Sequence, residues 1–429
     1  MGAGFVWRVR VGIGLAVLAV TFACIVGPAE TVSADSTGKQ RLERSLKKAL
    51  RKEDLTPTRV WGCKQRGSTS SCRWRAEGLF PGEVPYRCSG KARLRAGKGG
   101  WKIGECVNQL EPMVPLMPEP GPHPVFGFNE EWLLPPNRSW INYLPGIGAD
   151  AARLAVQWQN VEGTPGQYGW NLYDPVYQHM VDRGIRPLLV LIGSPCWAQA
   201  SPCEGLDHPA PQHYSDFAAF AARAAQRYGD AIGIELWNEP NSAKFWGGPP
   251  DPAAYAALVQ ETAPAIQAAN PHVPVVTGGL VPYRAADDKG IPPLDFLRQA
   301  FAAGGLQSAD AIGAHPYPFR GYGEDFQGAI RIELARYLQA MDEFGSRKPI
   351  WVTEVGVAEA QGYTPYEQAD ALVRIYVMLR RVADVPVVIF HRFVDQGADP
   401  VESTYGIVEA DGTLKPGYCA IAAARENPC

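Results

Sequence analysis

Two acidic residues, Glu239 and Glu354, each close a short apolar run, and they lie 115 residues apart. The first ends Ile234-Glu235-Leu236-Trp237-Asn238-Glu239-Pro240-Asn241, and the second sits in Ile350-Trp351-Val352-Thr353-Glu354-Val355-Gly356. A carboxyl group in such a setting can do one of two jobs. Neutral, it gives a proton to a leaving oxygen; ionised, it attacks or stabilises an electron-poor carbon. A pair that divides these jobs suits cleavage of a glycosidic bond, and the retaining form of that reaction wants the groups roughly 5–5.5 Å apart.

Residues so far apart in sequence need a scaffold that brings them together. From Val125 the chain alternates apolar strand, turn and Ala-rich helix. Strands are expected at Val125–Phe128, Arg153–Gln157, Pro187–Ile192, Ile232–Trp237, Val273–Thr277, Ala311–Ala314, Ile350–Thr353 and Val387–Phe390. Helices such as Tyr214 to Tyr228 and Ala253 to Ala269 lie between them. Buried-type strands alternating with helices point to an α/β protein, a (β/α)8 TIM barrel over 125–429. In that fold reactive groups sit at the carboxyl ends of the strands. Those positions hold Asn129, Arg153, Trp197, Asn238, Glu239, His315, Tyr317, Glu354 and the stretch Phe390 to Asp395.

The run Trp237-Asn238-Glu239-Pro240-Asn241 resembles the acid/base motif of clan A glycoside hydrolases, and Thr353-Glu354-Val355-Gly356 resembles their nucleophile strand. The similarity is nearest to glycoside hydrolase family 39 and to family 5-like enzymes, and it spans about Val125 to Ala424. Pro195-Cys196-Trp197-Ala198, Phe245-Trp246, His315-Pro316-Tyr317 and Gly406-Ile407-Val408 follow in the expected order. The resemblance implies Glu239 as acid/base and Glu354 as nucleophile, in a retaining reaction on O-glycosidic, β-type bonds. It implies that Asn238 binds the sugar 2-hydroxyl and that Arg153 and Tyr317 donate to Glu354. His315 would orient the network, and Trp197 and Trp246 would offer flat faces to sugar rings. One departure stands out. Clan members commonly place a tryptophan at the end of strand eight, and here Phe390-His391-Arg392-Phe393-Val394-Asp395 holds none. Phe390 or His391 is the expected substitute, with Arg392 or Asp395 as binders of a polar or charged glycan. Neither a cofactor nor a metal is expected.

The chain before Val125 reads differently. Arg8 and Arg10 precede the apolar run Val11 to Val26, and Val32-Ser33-Ala34 offers small residues before Asp35. Residues 1–34 thus read as a secretory signal peptide, whose apolar run of 16 residues is shorter than the roughly 20 of a membrane span. Thr21-Phe22-Ala23 before Cys24 fits a lipidation box poorly. The eight later cysteines suit a secreted, disulfide-bonded protein, with association to the cell wall as a further expectation. Cys196 with Cys203 and Cys419 with Cys429 read as local bridges; the group Cys63, Cys72, Cys88 and Cys106 leaves three connectivities open.

Charge divides the chain as well. Residues 36–110 carry 18 Lys+Arg against 6 Asp+Glu, whereas from 111 onward 21 face 36. The first segment reads as a small, basic, disulfide-stapled and β-rich domain, with an amphipathic helix over Gln40–Lys52. Residues 111–124 hold six prolines and read as a stiff, extended linker. A basic module on an exported protein suits an anionic cell-surface polymer, reached by attraction that salt weakens. Nucleic acid is not expected as a partner, oligo- or polysaccharide is the expected substrate, and a monomer is expected. The competing reading is a non-catalytic carbohydrate-binding or wall-associated protein that works through the basic module.

Overall fold

The computed structural model describes residues 5–7, 36–51, 57–66, 69–80, 84–95, 98–103, 106–108, 113–129, 137–199, 203, 207–282, 290–318, 326–396, 398–427 and 429. Most of the segment read as a signal peptide therefore lies outside the described residues. Among the described residues, no helix is long and apolar enough to cross a membrane. The chain divides into two compact units. One comprises Met1–Met113, Arg284–Asp287 and Phe319–Ile332; the other comprises Val114–Tyr283, Asp288–Pro318 and Glu333–Cys429.

In the smaller unit the helix Ser36–Arg51 lies on an antiparallel sheet; the unit also takes in the start of the helix Phe326–Glu343. Its long strands are Pro57–Arg66, Thr69–Phe80 and Val84–Arg95, with Lys98–Ile103, Cys106–Asn108 and Phe5–Trp7 added at the far edge. The strands run longer than the short segments the sequence suggests, because serines and glycines within them still pair in register. Leu42, Leu46 and Leu50 recur at helical spacing and pack on Val60, Cys72, Trp74 and Ala92 from the sheet. Cys63 and Cys72 are bonded (Cα–Cα 4.1 Å), which selects one of the three connectivities for that pair. The side chains of Cys88 and Cys106 lie outside the described ones.

The larger unit is a nearly closed barrel of eight parallel strands. In barrel order they are Val125–Asn129, Ala151–Gln157, Arg186–Ile192, Gly233–Leu236, Val275–Thr277, Ile312–Ala314, Ile350–Val355 and Val387–His391. Their ends fall within two residues of the expected ones. Strand eight pairs with strand one from Val387↔Val125 to His391↔Asn129. Strands five and six are joined by the bridges Val276↔Ala311 and Leu280↔Ala314 and by the Gly313 N–H on Thr277 Oγ1 (3.0 Å). The interior is layered. Ala151, Leu188, Ile232, Val276, Ala311, Trp351, Val387 and Ile389 fill the amino-terminal end. Trp351 needs Gly233 opposite it: a Cβ there would sit 2.7 Å from the indole. Above that apolar layer the inward positions turn polar, with Arg153, Glu235 and Thr353 all buried.

Among its described residues the proline-rich segment forms neither helix nor strand before Val125, and from Met117 it is not a free spacer. Met117 and Gly121 donate backbone N–H groups to Arg381 and Arg380 (2.7 and 2.8 Å), and both arginine side chains bond back to the segment's carbonyls. His123 adds a 2.7 Å bond to Tyr376. Bridges Cys196–Cys203 and Cys419–Cys429 form as the sequence suggests, with Cα–Cα distances of 4.7 and 5.1 Å.

Candidate active site

Glu239 follows strand four on a sharply bent backbone. Trp237 and Glu239 both have positive φ, 73° and 43°. Left-handed geometry costs a residue with a side chain about 1–3 kcal/mol and persists only where its surroundings over-determine it. Here the Trp237 N–H donates to Leu191 O (2.9 Å), the Glu239 N–H to Gly279 O (3.1 Å), and the Trp237 indole to Phe245 O (2.8 Å). The bend turns the Glu239 carboxyl inward. Glu354 directly follows the inward Thr353 on strand seven, so alternation alone would turn it away; the strand's register shifts between Val352 and Val355, and with that irregularity the Glu354 carboxyl also reaches the interior.

Arg153 organises the floor between them. It is 4% exposed, so its charge must be met inside the protein. Its Nε and Nη2 donate to the two oxygens of Glu235 (2.7 and 3.2 Å), its Nη1 to Glu354 Oε1 (2.5 Å), and its Nη2 to Asn238 Oδ1 (2.8 Å). Burial alone would lower its pKa; the carboxylates of Glu235 and Glu354 outweigh that and raise it. The guanidinium is thereby a permanent cation against the candidate nucleophile. Asn129 donates to the same Glu354 oxygen (3.0 Å) and Tyr317 Oη to the other (2.7 Å).

The two candidate carboxyls titrate in opposite directions. Burial pushes Glu239 up, a contact with His315 opposes this, and the charge of Glu354 pushes it further. Burial would also raise Glu354, yet His315, Arg153, His391 and the Tyr317 hydroxyl together hold it at about 2. Their surroundings pull the proton affinities of the two carboxyls apart, the direction that a division into acid and nucleophile needs.

His315 ties the pair to the residues beneath it. Thr353 Oγ1 donates to Glu235 Oε1 (3.0 Å), which also receives the Gly279 N–H (2.8 Å) and Arg153. With that hydroxyl proton engaged, His315 Nε2, 3.1 Å away, donates to Thr353 Oγ1. Its Nδ1 lies 3.1 Å from Glu239 Oε1, close enough for ring and carboxyl to share a proton. The ring lies there only because residue 279 is glycine: a Cβ would stand 2.2 Å from it.

At the end of strand eight His391 reaches the site and Phe390 does not. His391 Nδ1 lies 3.0 Å from Asn129 Nδ2, and Nε2 lies 2.8 Å from Glu402 Oε2. Burial lowers the pKa of His391, but Glu402 and Glu354 outweigh it and raise it. Phe390 packs edge-on against Phe126 and Phe128 (5.3 and 6.1 Å), in the barrel wall. Arg392 and Asp395 are also engaged internally, contrary to their reading as glycan binders. Arg392 donates to Gln396 O (2.6 Å), and Asp395 accepts from Lys415 Nζ (2.9 Å) and the Gly406 N–H (2.7 Å).

The two tryptophans fare differently from the rest of the cluster. Trp246 is 1% exposed, stacked on His208 at 4.2 Å and edge-on to Trp237 and Tyr255, so no face of it is open to a sugar. Trp197 is half-buried beside Trp158 and His213, with its indole N–H on Glu162 O (3.1 Å). The structure thus gathers Asn129, Arg153, Asn238, Glu239, His315, Tyr317, Glu354 and His391 at one place and leaves both tryptophans outside it. It adds Glu235, Thr353, Glu402 and Gly279. Of these, the Gly278-Gly279 pair after strand five was a signal of close backbone approach; Glu402, on the short turn Glu402–Thr404, had none. Glu239, His315 and Glu354 also place donor atoms within 4.8 Å of one another, a spacing a metal ion could use. The Arg153 guanidinium already supplies the cation on Glu354, which leaves such an ion little to neutralise.

The model of the cellulase family, glycosyl hydrolase family 5, matches residues 119–384. The chain belongs to that family. The family 5 barrel is also similar in fold to solved glycoside hydrolases. A family 39 enzyme from Bacteroides cellulosilyticus WH2 aligns at 20% identity with a TM-score of 0.56, over 84% of this chain and 78% of its own. A family 5 subfamily 18 enzyme from Streptomyces cattleya, solved with GlcNAc, aligns at 15% identity and 0.53, over 73% and 80%. A family 1 β-glucosidase from Exiguobacterium antarcticum B7 aligns at 14% and 0.51, over 71% and 98%. A search of curated proteins finds no match.

Proposed function

We propose that this family 5 protein is a secreted, retaining glycoside hydrolase that cleaves β-linked O-glycosides by double displacement. The observation that carries the reading is the short gap between the two carboxyls: donor oxygens of Glu239 and Glu354 lie within 4.8 Å. Inverting enzymes hold their carboxyls roughly 6.5–9.5 Å apart to admit a water, whereas retaining ones need only roughly 5–5.5 Å.

In the first step Glu354 attacks the anomeric carbon while Glu239 passes its proton to the departing glycosidic oxygen. Esterification then removes the charge of Glu354. Because that charge is one of the groups raising Glu239, the acid's pKa falls as the intermediate forms. Glu239 is thereby converted into the base that takes a proton from water, and the water oxygen displaces Glu354. His315 Nδ1 can hold the proton between turnovers. Asn238, fixed by Arg153 through its Oδ1, keeps its amide N–H groups for the sugar 2-hydroxyl.

A panel of aryl β-glycosides and polysaccharides, tested with wild type, Glu239→Gln and Glu354→Gln, checks the assignment. A 2-fluoro glycoside should leave its sugar on the peptide containing Glu354. Unchanged hydrolysis by Glu354→Gln, or a label on another residue, would remove the nucleophile assignment. Export is supported by the charged and apolar pattern of residues 1–34 and by the disulfides, and N-terminal sequencing of the mature protein tests it.

A further inference from the structure

Among the described side chains of the smaller unit's sheet, those on one face are buried, and Lys64, Arg73 and Arg93 on the other are exposed. Val60, Cys72, Trp74 and Ala92 lie against the helix Ser36–Arg51, and strand alternation puts the residues between them on the opposite face. That opposite face is cationic to an unusual degree. Register sets Arg59 directly across from Arg75, Arg73 across from Lys91, and Arg93 across from Lys102. Like charges directly opposite on neighbouring strands repel and destabilise the sheet. Trp61 stands on the same face, across from Arg73, and Arg73 and Arg93 are exposed.

The charges form rows that run across the strands. One row is Trp61, Arg73 and Lys91; the next is Lys64, Ser71, Arg93 and Lys102. An extended polyanion laid across the sheet would meet a cation at nearly every strand, and it would relieve the repulsion that the unit otherwise carries. The same chain carries a glycoside hydrolase, so a polymer of anionic sugars gives both units a common ligand.

We propose that this sheet face binds an anionic polysaccharide, bearing carboxylate or sulfate groups. Binding is electrostatic over a row of charges, hence strongly weakened by salt.

The test uses the full chain and reads binding apart from hydrolysis, by titration with polygalacturonate, dextran sulfate, neutral dextran and duplex DNA at several salt concentrations. Wild type should bind one or both anionic glycans at low salt, lose them as salt rises, and ignore neutral dextran. The double variant Arg73→Glu/Arg93→Glu should weaken binding by at least about tenfold, the scale on which lost charge contacts act on a polyanion. The control Lys47→Glu/Lys48→Glu makes the same charge change on exposed positions of the helix and should shift binding by no more than about twofold. Aryl glycoside hydrolysis should be unchanged in both, which reports intact protein. The reversed residues face Lys91 and Lys102, so the sheet variant should melt no lower than wild type. Should that variant fail to accumulate, Arg73→Gln/Arg93→Gln replaces it, with a smaller loss in the same direction. Absence of binding at low salt overturns the proposal. So does an equal loss in the helix control, or tighter binding to DNA than to either glycan at matched salt.

Discussion

Arg153 lies 2.7 Å from Glu235 and 2.5 Å from Glu354 in the barrel, whereas in the small sheet Arg73 is set across from Lys91 and Arg93 across from Lys102. The two units spend charge in opposite ways. In the barrel, cation and anion are buried together, and their mutual attraction decides which carboxyl is ionised. On the sheet, like charges are aligned at the surface and await an ion from outside. The first arrangement is complete within the protein and should be indifferent to salt; the second should depend on it. Each of the following measurements presses on that contrast.

The largest effect is expected where the internal pairing meets the reaction. Glu354→Gln removes the nucleophile and should lower kcat/KM on aryl glycosides by about 10⁴-fold or more, read by steady-state kinetics. Glu239→Gln removes general acid–base help worth about 10²–10⁴-fold. Its deficit should shrink on substrates with good leaving groups, and the basic limb of the pH profile should flatten.

Arg153→Met comes next. Without the guanidinium, Glu235 and Glu354 are left buried with no cation at this contact, a defect that costs about 3–5 kcal/mol in buried pairs, and chemical denaturation should show it. The pH dependence has a definite sign. Glu354 titrates lower folded than unfolded, so its interactions contribute stability above the ordinary carboxylate value of 4.5 and lose it as pH falls toward about 2. Melting curves over that window should drop more steeply for wild type than for Glu354→Gln.

The smallest effect is expected at the edge of the site. Glu402→Gln removes the main group holding His391 up, so the pKa of that ring should fall, visible by NMR titration. The loss in kcat/KM should stay within about tenfold, since Arg153, Asn129 and Tyr317 still hold Glu354.

The barrel was legible because its strands are apolar runs bounded by turns, and because each reactive group sits where a strand ends. That logic made Arg153, Tyr317 and His391 candidate positions, and the resemblance to clan A hydrolases is what set Arg153 and Tyr317 beside Glu354. What escaped was set by partners remote in sequence. Trp246 stands just where a sugar platform is expected, yet His208 and Tyr255 close over it. The proline-rich run carries no trace of Arg380 and Arg381, whose carbonyls hold it on the barrel. Glu402 comes from a short turn without periodicity, and only the path of the chain after strand eight brings it to His391. In the small sheet, alternation separates the two faces, but the register that aligns Arg73 with Lys91 depends on hairpin geometry that composition does not reveal.

The junction of strands one and eight has a consequence for how the protein is made. The earliest barrel strand, Val125–Asn129, waits for the latest, Val387–His391, before its second edge is paired. Arg425 then locks the seam, donating to Pro124 O, Gly148 O, Tyr376 Oη and Asp150 Oδ2. Until Val387–His391 has left the ribosome, an apolar strand edge stays open to other chains. Barrel folding is therefore governed by long-range closure, and a nonsense mutation upstream of Val387 should yield aggregate rather than a smaller working enzyme.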